Sequence, residues 1–64
     1  MYKVETLVAG SNSWRTSHIS FDFPTFERAL DTLMLAKQAR TLASQTYRIV
    51  EMPQKERVIA TFDF

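Results

Sequence analysis

The sequence predicts an α+β two-layer sandwich in which one helix packs on a four-stranded, mainly antiparallel sheet, in the order ββαββ. Three observations carry this. Residues Pro24–Ala43 form the one long run without Gly or an internal Pro, and it is rich in Ala and Leu, which lose least on entering a helix. Short segments of alternating apolar residues lie on both sides of that run. Neither kind of element can bury its apolar side alone, and one helix layer on one sheet is the economical solution.

The first strand is expected over Tyr2–Val8, with Tyr2, Val4, Thr6 and Val8 on one face and Lys3, Glu5 and Leu7 on the other. Residues Ala9–Ser13 read as a turn, with the single Gly10 where a positive φ is needed. A second strand is expected from Trp14 to about Phe21, with Ile19, Phe21 and Phe23 pointing inward. An uninterrupted strand would place Trp14 and Ile19 on opposite faces, so either a bulge within Arg15–His18 brings Trp14 back towards the core, the reading preferred here, or Trp14 sits outside the core.

Thr25 is placed to cap the helix, and Glu27 complements the positive end of its dipole. At ~100° per residue, Phe26, Ala29, Leu30, Leu33, Met34 and Ala36 share an apolar face. Lys37 and Arg40 follow on that side, their stems covering the rim of the core. The last strands are expected over Tyr47–Met52 and Val58–Phe62. A four-residue loop, Pro53–Glu56, then sets Met52 against Arg57, Val50 against Ile59 and Arg48 against Thr61. This register gathers Tyr47, Ile49, Val58, Ala60 and Phe62 on the core face. It leaves Lys3, Glu5, Leu7, Arg48, Val50, Met52, Arg57, Ile59 and Thr61 on a face that no helix covers. Phe26, Leu30, Leu33, Tyr47, Ile49, Val58 and Phe62 are expected to form one core.

Composition narrows the chemistry. The 64 residues (1–64) make a single domain near the lower size limit for folding without staples. There is no Cys, so neither a disulfide framework nor a thiolate metal site is available, and there is one His. No cofactor or metal is expected, because the seven carboxylates show no ligand spacing. No apolar run approaches the roughly 20 residues of a membrane span and no signal-peptide pattern opens the chain, so a soluble cytoplasmic protein is expected. The net charge of +1 does not call for a polyanionic partner. Basic residues are in excess only over residues 37–57, where Lys37, Arg40, Arg48, Lys55 and Arg57 meet Glu51 and Glu56.

Catalysis is disfavoured. There is no phosphate-binding Gly-rich loop and no nucleophile elbow. His18, Asp22 and Ser17 or Ser20 resemble a triad only on paper, since they are local in sequence with no sign of a pocket that excludes water. Two surfaces remain. On the back of the helix, Leu35 lies about 180° from Phe26, and Ala39 and Leu42 extend a second stripe near the line of Arg28. Solvent should lie there, so the leucines point to a protein partner or a dimer seam, against the simpler reading of ordinary scattered exposed leucines. On the uncovered sheet face Arg48 and Arg57, with Lys3 and Lys55 nearby, could meet phosphates, but stacking aromatics other than Trp14 are lacking and an ordinary solvated face covered by long side chains is the preferred reading. The expected partner-binding residues are Arg28, Leu35, Ala39, Leu42, Arg48 and Arg57.

Trp14, Phe21-Asp22, Thr25-Phe26-Glu27, Ala29-Leu30 and Tyr47-Arg48-Ile49-Val50-Glu51 together give a layout that resembles small phage and prophage-encoded accessory proteins. The likeness spans most of the chain and consists of fold-forming residues, so no functional residue carries over from it. It implies a non-enzymatic protein that inhibits a host enzyme or defence complex by binding it in the host cytoplasm, as anti-CRISPR proteins do. A small nucleic-acid-binding protein and a structural homodimer are the alternatives.

Overall fold

The computed structural model describes residues 1–40, 45–53 and 57–64. Five elements follow in chain order: β1 (Tyr2–Leu7), β2 (Trp14–Thr16), α1 (Phe26–Gln38), β3 (Thr46–Glu51) and β4 (Val58–Asp63). The strands form one sheet in the order β2-β1-β3-β4, and every pairing is antiparallel. The helix packs on β1 and β3, the two central strands. This is the two-layer α+β arrangement that the apolar periodicities predict.

The core lies between α1 and the sheet. Val4, Phe23, Ala29, Leu33, Tyr47 and Ile49 are buried there, with Tyr2, Ile19, Phe26, Leu30, Met34, Phe62 and Phe64 packed around them. The helix phase is as the sequence implies: Leu33 is fully buried and Leu35 is 65% exposed. Thr25 is the N-cap, its hydroxyl accepting from the Arg28 N–H at 3.2 Å. Lys37 Nζ lies 4.5 Å over the Phe64 ring, so the stem of this last-turn lysine covers the rim of the core. Gly10 takes φ 76° in the first turn, the left-handed conformation that glycine adopts without a steric penalty.

Four expectations need correction. First, β2 stops at Thr16. The Ser20 N–H donates to the Ser17 carbonyl at 3.0 Å, and the Ser20 hydroxyl accepts from the Val4 N–H at 2.9 Å. Serine side chains thus satisfy backbone groups that a ladder would otherwise have used, and the strand breaks. Phe23 pairs again with Tyr2 as an isolated bridge and is buried, whereas Phe21 is 70% exposed, its ring edge-to-face with that of Phe23. No bulge turns Trp14 inward; it pairs with Leu7 on the face away from α1.

Second, the helix is shorter than the apolar run. Ala39 is its C-cap and Arg40 takes φ 58°, a left-handed stop normally filled by Gly. Arg40→Gly should therefore raise stability by about 1 kcal/mol, measured by urea unfolding, because the Cβ clash disappears. A lower midpoint would show that the Arg40 side chain outweighs its backbone strain.

Third, the β3–β4 register holds only for its first half. Tyr47 faces Phe62, Arg48 faces Thr61 and Ile49 faces Ala60, but a shift at Ile49/Val50 then sets Val50 against Val58. The Glu51 N–H bonds the Arg57 carbonyl at 3.1 Å, so Glu51 and not Met52 lies opposite Arg57. A bulge inverts the facing of everything beyond it. Val58 accordingly leaves the core and is 39% exposed, while Ile59 is 40% exposed.

Fourth, the face without a helix is not an ordinary solvated one. Glu5 and Val50, both on it, are 4% and 0% exposed.

Candidate functional site

On the sheet face away from α1, Glu5 is held in a clasp. Cross-strand pairing puts Glu5 of β1 beside Arg48 of β3. Arg48 Nε donates to Glu5 Oε1 at 2.8 Å, and Nη2 lies 2.8 Å from the same oxygen. Trp14 of β2 closes over the other side, its ring centroid 4.2 Å from the Arg48 guanidinium carbon. Arg48 is thus neutralised by a buried carboxylate and stacked on an indole, which leaves little of its charge for a phosphate. Arg57 stands apart on the rim, its side chain 65% exposed and its Nε 3.1 Å from Glu51 Oε1. Lys3 pairs with Asp22 at 3.4 Å. The sheet-face cations named from the sequence do not converge, and Lys55 lies outside the described residues.

On the back of α1, Arg28, Leu35 and Ala39 are all exposed, as the helical phase requires. Leu42 lies outside the described residues; among those described, Leu35 is the one large exposed apolar side chain on this surface.

A surface that the sequence did not single out is the outer edge of β4. Among the described residues β4 pairs with β3 alone. The Phe64 N–H donates to the Gln45 carbonyl at 3.1 Å. The alternation of an antiparallel ladder then turns the N–H and C=O groups of Thr61 and Asp63 away from β3. Val58 and Ile59 stand exposed at the start of this edge. No local signal could have found it, because an edge is defined by strand order and strand order is a tertiary property.

The residues of the paper triad do not assemble. Asp22 pairs with Lys3, Ser17 Oγ accepts from the Ile19 N–H at 3.4 Å, and Ser20 Oγ is engaged with Val4. Among the described residues no hydrogen bond joins His18 to any of the three. Instead, His18 and Ser17 share with Arg15, Thr6, Gln45 and Tyr47 the lining of a cavity of about 380 Å³. Among the described residues there is also no group of three His, Asp or Glu placed to hold a metal ion, and no helix is long and apolar enough to cross a membrane.

Comparison of the chain with protein-family models, with curated proteins and with solved structures finds no match.

Proposed function

We propose that this chain is a non-enzymatic protein-binding module that receives an extended partner segment along β4. The observation that carries the reading is the outer edge of β4, which no strand pairs with among the described residues, with outward-turned backbone groups at Thr61 and Asp63 beside the exposed Val58 and Ile59. An open strand edge is a template for another strand: main-chain hydrogen bonds supply affinity and flanking side chains supply choice. β4 holds no Pro and no Lys, and its bulge lies at Ile59, before the outward-turned groups of Thr61 and Asp63. A partner here is a host protein, or a second copy in the homodimer variant of the same reading. Inhibition of a host enzyme or defence complex, with phage origin, is the narrower form of this proposal and rests on the resemblance of layout alone. Leu35, Arg28 and Ala39 on the back of α1 offer a secondary contact. The nucleic-acid alternative is disfavoured by the clasp, which engages Arg48 within the chain.

A random peptide library panned against the folded, immobilised chain tests the reading without knowledge of the host. Enrichment of extended, alternating apolar peptides is expected, and Thr61→Pro should abolish it. The substitution removes an outward donor, and proline is tolerated on an edge strand, so the ladder to β3 survives. Peptides that bind a folded Thr61→Pro variant equally well, or no enrichment above the bare support, would exclude β4 as the docking edge.

A further inference from the structure

We propose that the cavity bounded by Arg15, His18 and Gln45 binds the phosphate group of a small anionic ligand. This is a second site, independent of the β4 edge. Its basis is a row of residues across three strands: Arg15 pairs with Thr6, and Thr6 pairs with Tyr47. Paired residues share a face, so the row lies on the side of the sheet that carries α1. The helix, however, packs on β1 and β3 and makes no comparable contact with β2. The β2 end of the row is therefore left uncovered, and the turn at Ser17-His18 closes it into a concavity of about 380 Å³.

The lining fits an anion. It brings together Arg15 and His18 and, among the described residues, contains no Asp or Glu. The three ion pairs among the described residues engage Lys3, Arg48 and Arg57, and none engages Arg15. The negative charge closest in the ladder, Glu5, is held by Arg48 on the opposite face of the sheet. Among the described residues Arg15 is thus a guanidinium at the rim of a concavity without a carboxylate partner, the arrangement in which a planar fork donor takes a phosphate through two N–H groups.

The floor is polar and preorganised. Thr6, Ser17 and Tyr47 are buried at 7%, 4% and 2% exposure. The Thr6 hydroxyl donates to Gln45 Oε1 at 2.7 Å, which fixes the amide and leaves its Nε2 as a donor. The volume lies at the lower end of the range for small-molecule sites, roughly 300–1,000 Å³. That is more room than a phosphate group fills alone, so the ligand class is a small phosphate ester and not the bare ion.

The test is amide NMR of the whole chain titrated with inorganic phosphate, with sodium chloride adjusted to constant ionic strength. Saturable shifts confined to the amides of Thr6, Arg15–His18, Gln45 and Tyr47 are expected, with Arg15→Gln weakening binding at least about tenfold. The spectrum reports in the same experiment whether the variant is folded. Gln45→Ala, which removes a donor and no charge, should weaken binding several-fold and separates a built site from general attraction to a cation. Acetate in a parallel titration should bind more weakly, because it presents fewer acceptor oxygens; equal affinity would overturn the phosphate assignment. Shifts that do not saturate, that spread to the exposed Arg28 and Arg40, or that persist in Arg15→Gln would overturn the site itself.

Discussion

Arg48→Ala is expected to lower the stability of the fold by about 3–5 kcal/mol. The Glu5 side chain is 5% exposed and that of Arg48 20%, so the truncation would leave a carboxylate in a buried position without its partner. The loss of the Trp14 stack acts in the same direction. For a small domain, whose stability runs at roughly 0.05–0.15 kcal/mol per residue, this is a large share of the total. Urea unfolding at constant pH measures it. The double replacement Glu5→Leu with Arg48→Met should be far less damaging than Arg48→Ala alone, since exchanging both partners for apolar groups leaves no orphaned charge. A loss below about 1 kcal/mol for Arg48→Ala would place the pair in the class of solvated surface bridges. The sheet face would then regain Arg48 as a residue available to a partner.

Leu33→Ala is expected to cost about 2–5 kcal/mol. Leu33 has no exposed surface and sits at the centre of the face of α1 that meets Val4, Tyr47 and Ile49. The cost has two parts, the transfer free energy of the lost methyl groups and the cavity left behind, since neighbours on a helix and a paired sheet can relax only in part. Leu35→Ala on the opposite side of the same helix is the control and should change stability by a few tenths of a kcal/mol. Equal midpoints for the two variants would mean that the helix is rotated from the phase described.

How far the candidate surfaces were legible follows from the range of the interactions that make them. Exposure of Leu35 needs only the helical period, and the sequence supplies that. The engagement of Arg48 needs Glu5, 43 positions away, and Trp14 on a third strand, and no local pattern reports such a meeting. The β4 edge and the Arg15 cavity depend on strand order and on where the helix does not reach. The same residues in another order would have no such surfaces.

The sequence by itself determined the order of the elements, the phase and cap of α1, the turn at Gly10, and the pairing of Tyr47 with Phe62 and Arg48 with Thr61. Each of these is fixed by neighbours a few residues away: a period of 3.6 or 2, a hydroxyl three residues from its N–H, a loop length. The tertiary structure alone decided the order β2-β1-β3-β4, the break after Thr16, the bulge that turns Val58 outward, and the left-handed stop at Arg40. There the competing local conformations differ by a kcal/mol or so. Contacts between residues far apart in the chain, such as the bond from the Val4 N–H to Ser20 and the clasp on Arg48, are what tip the balance.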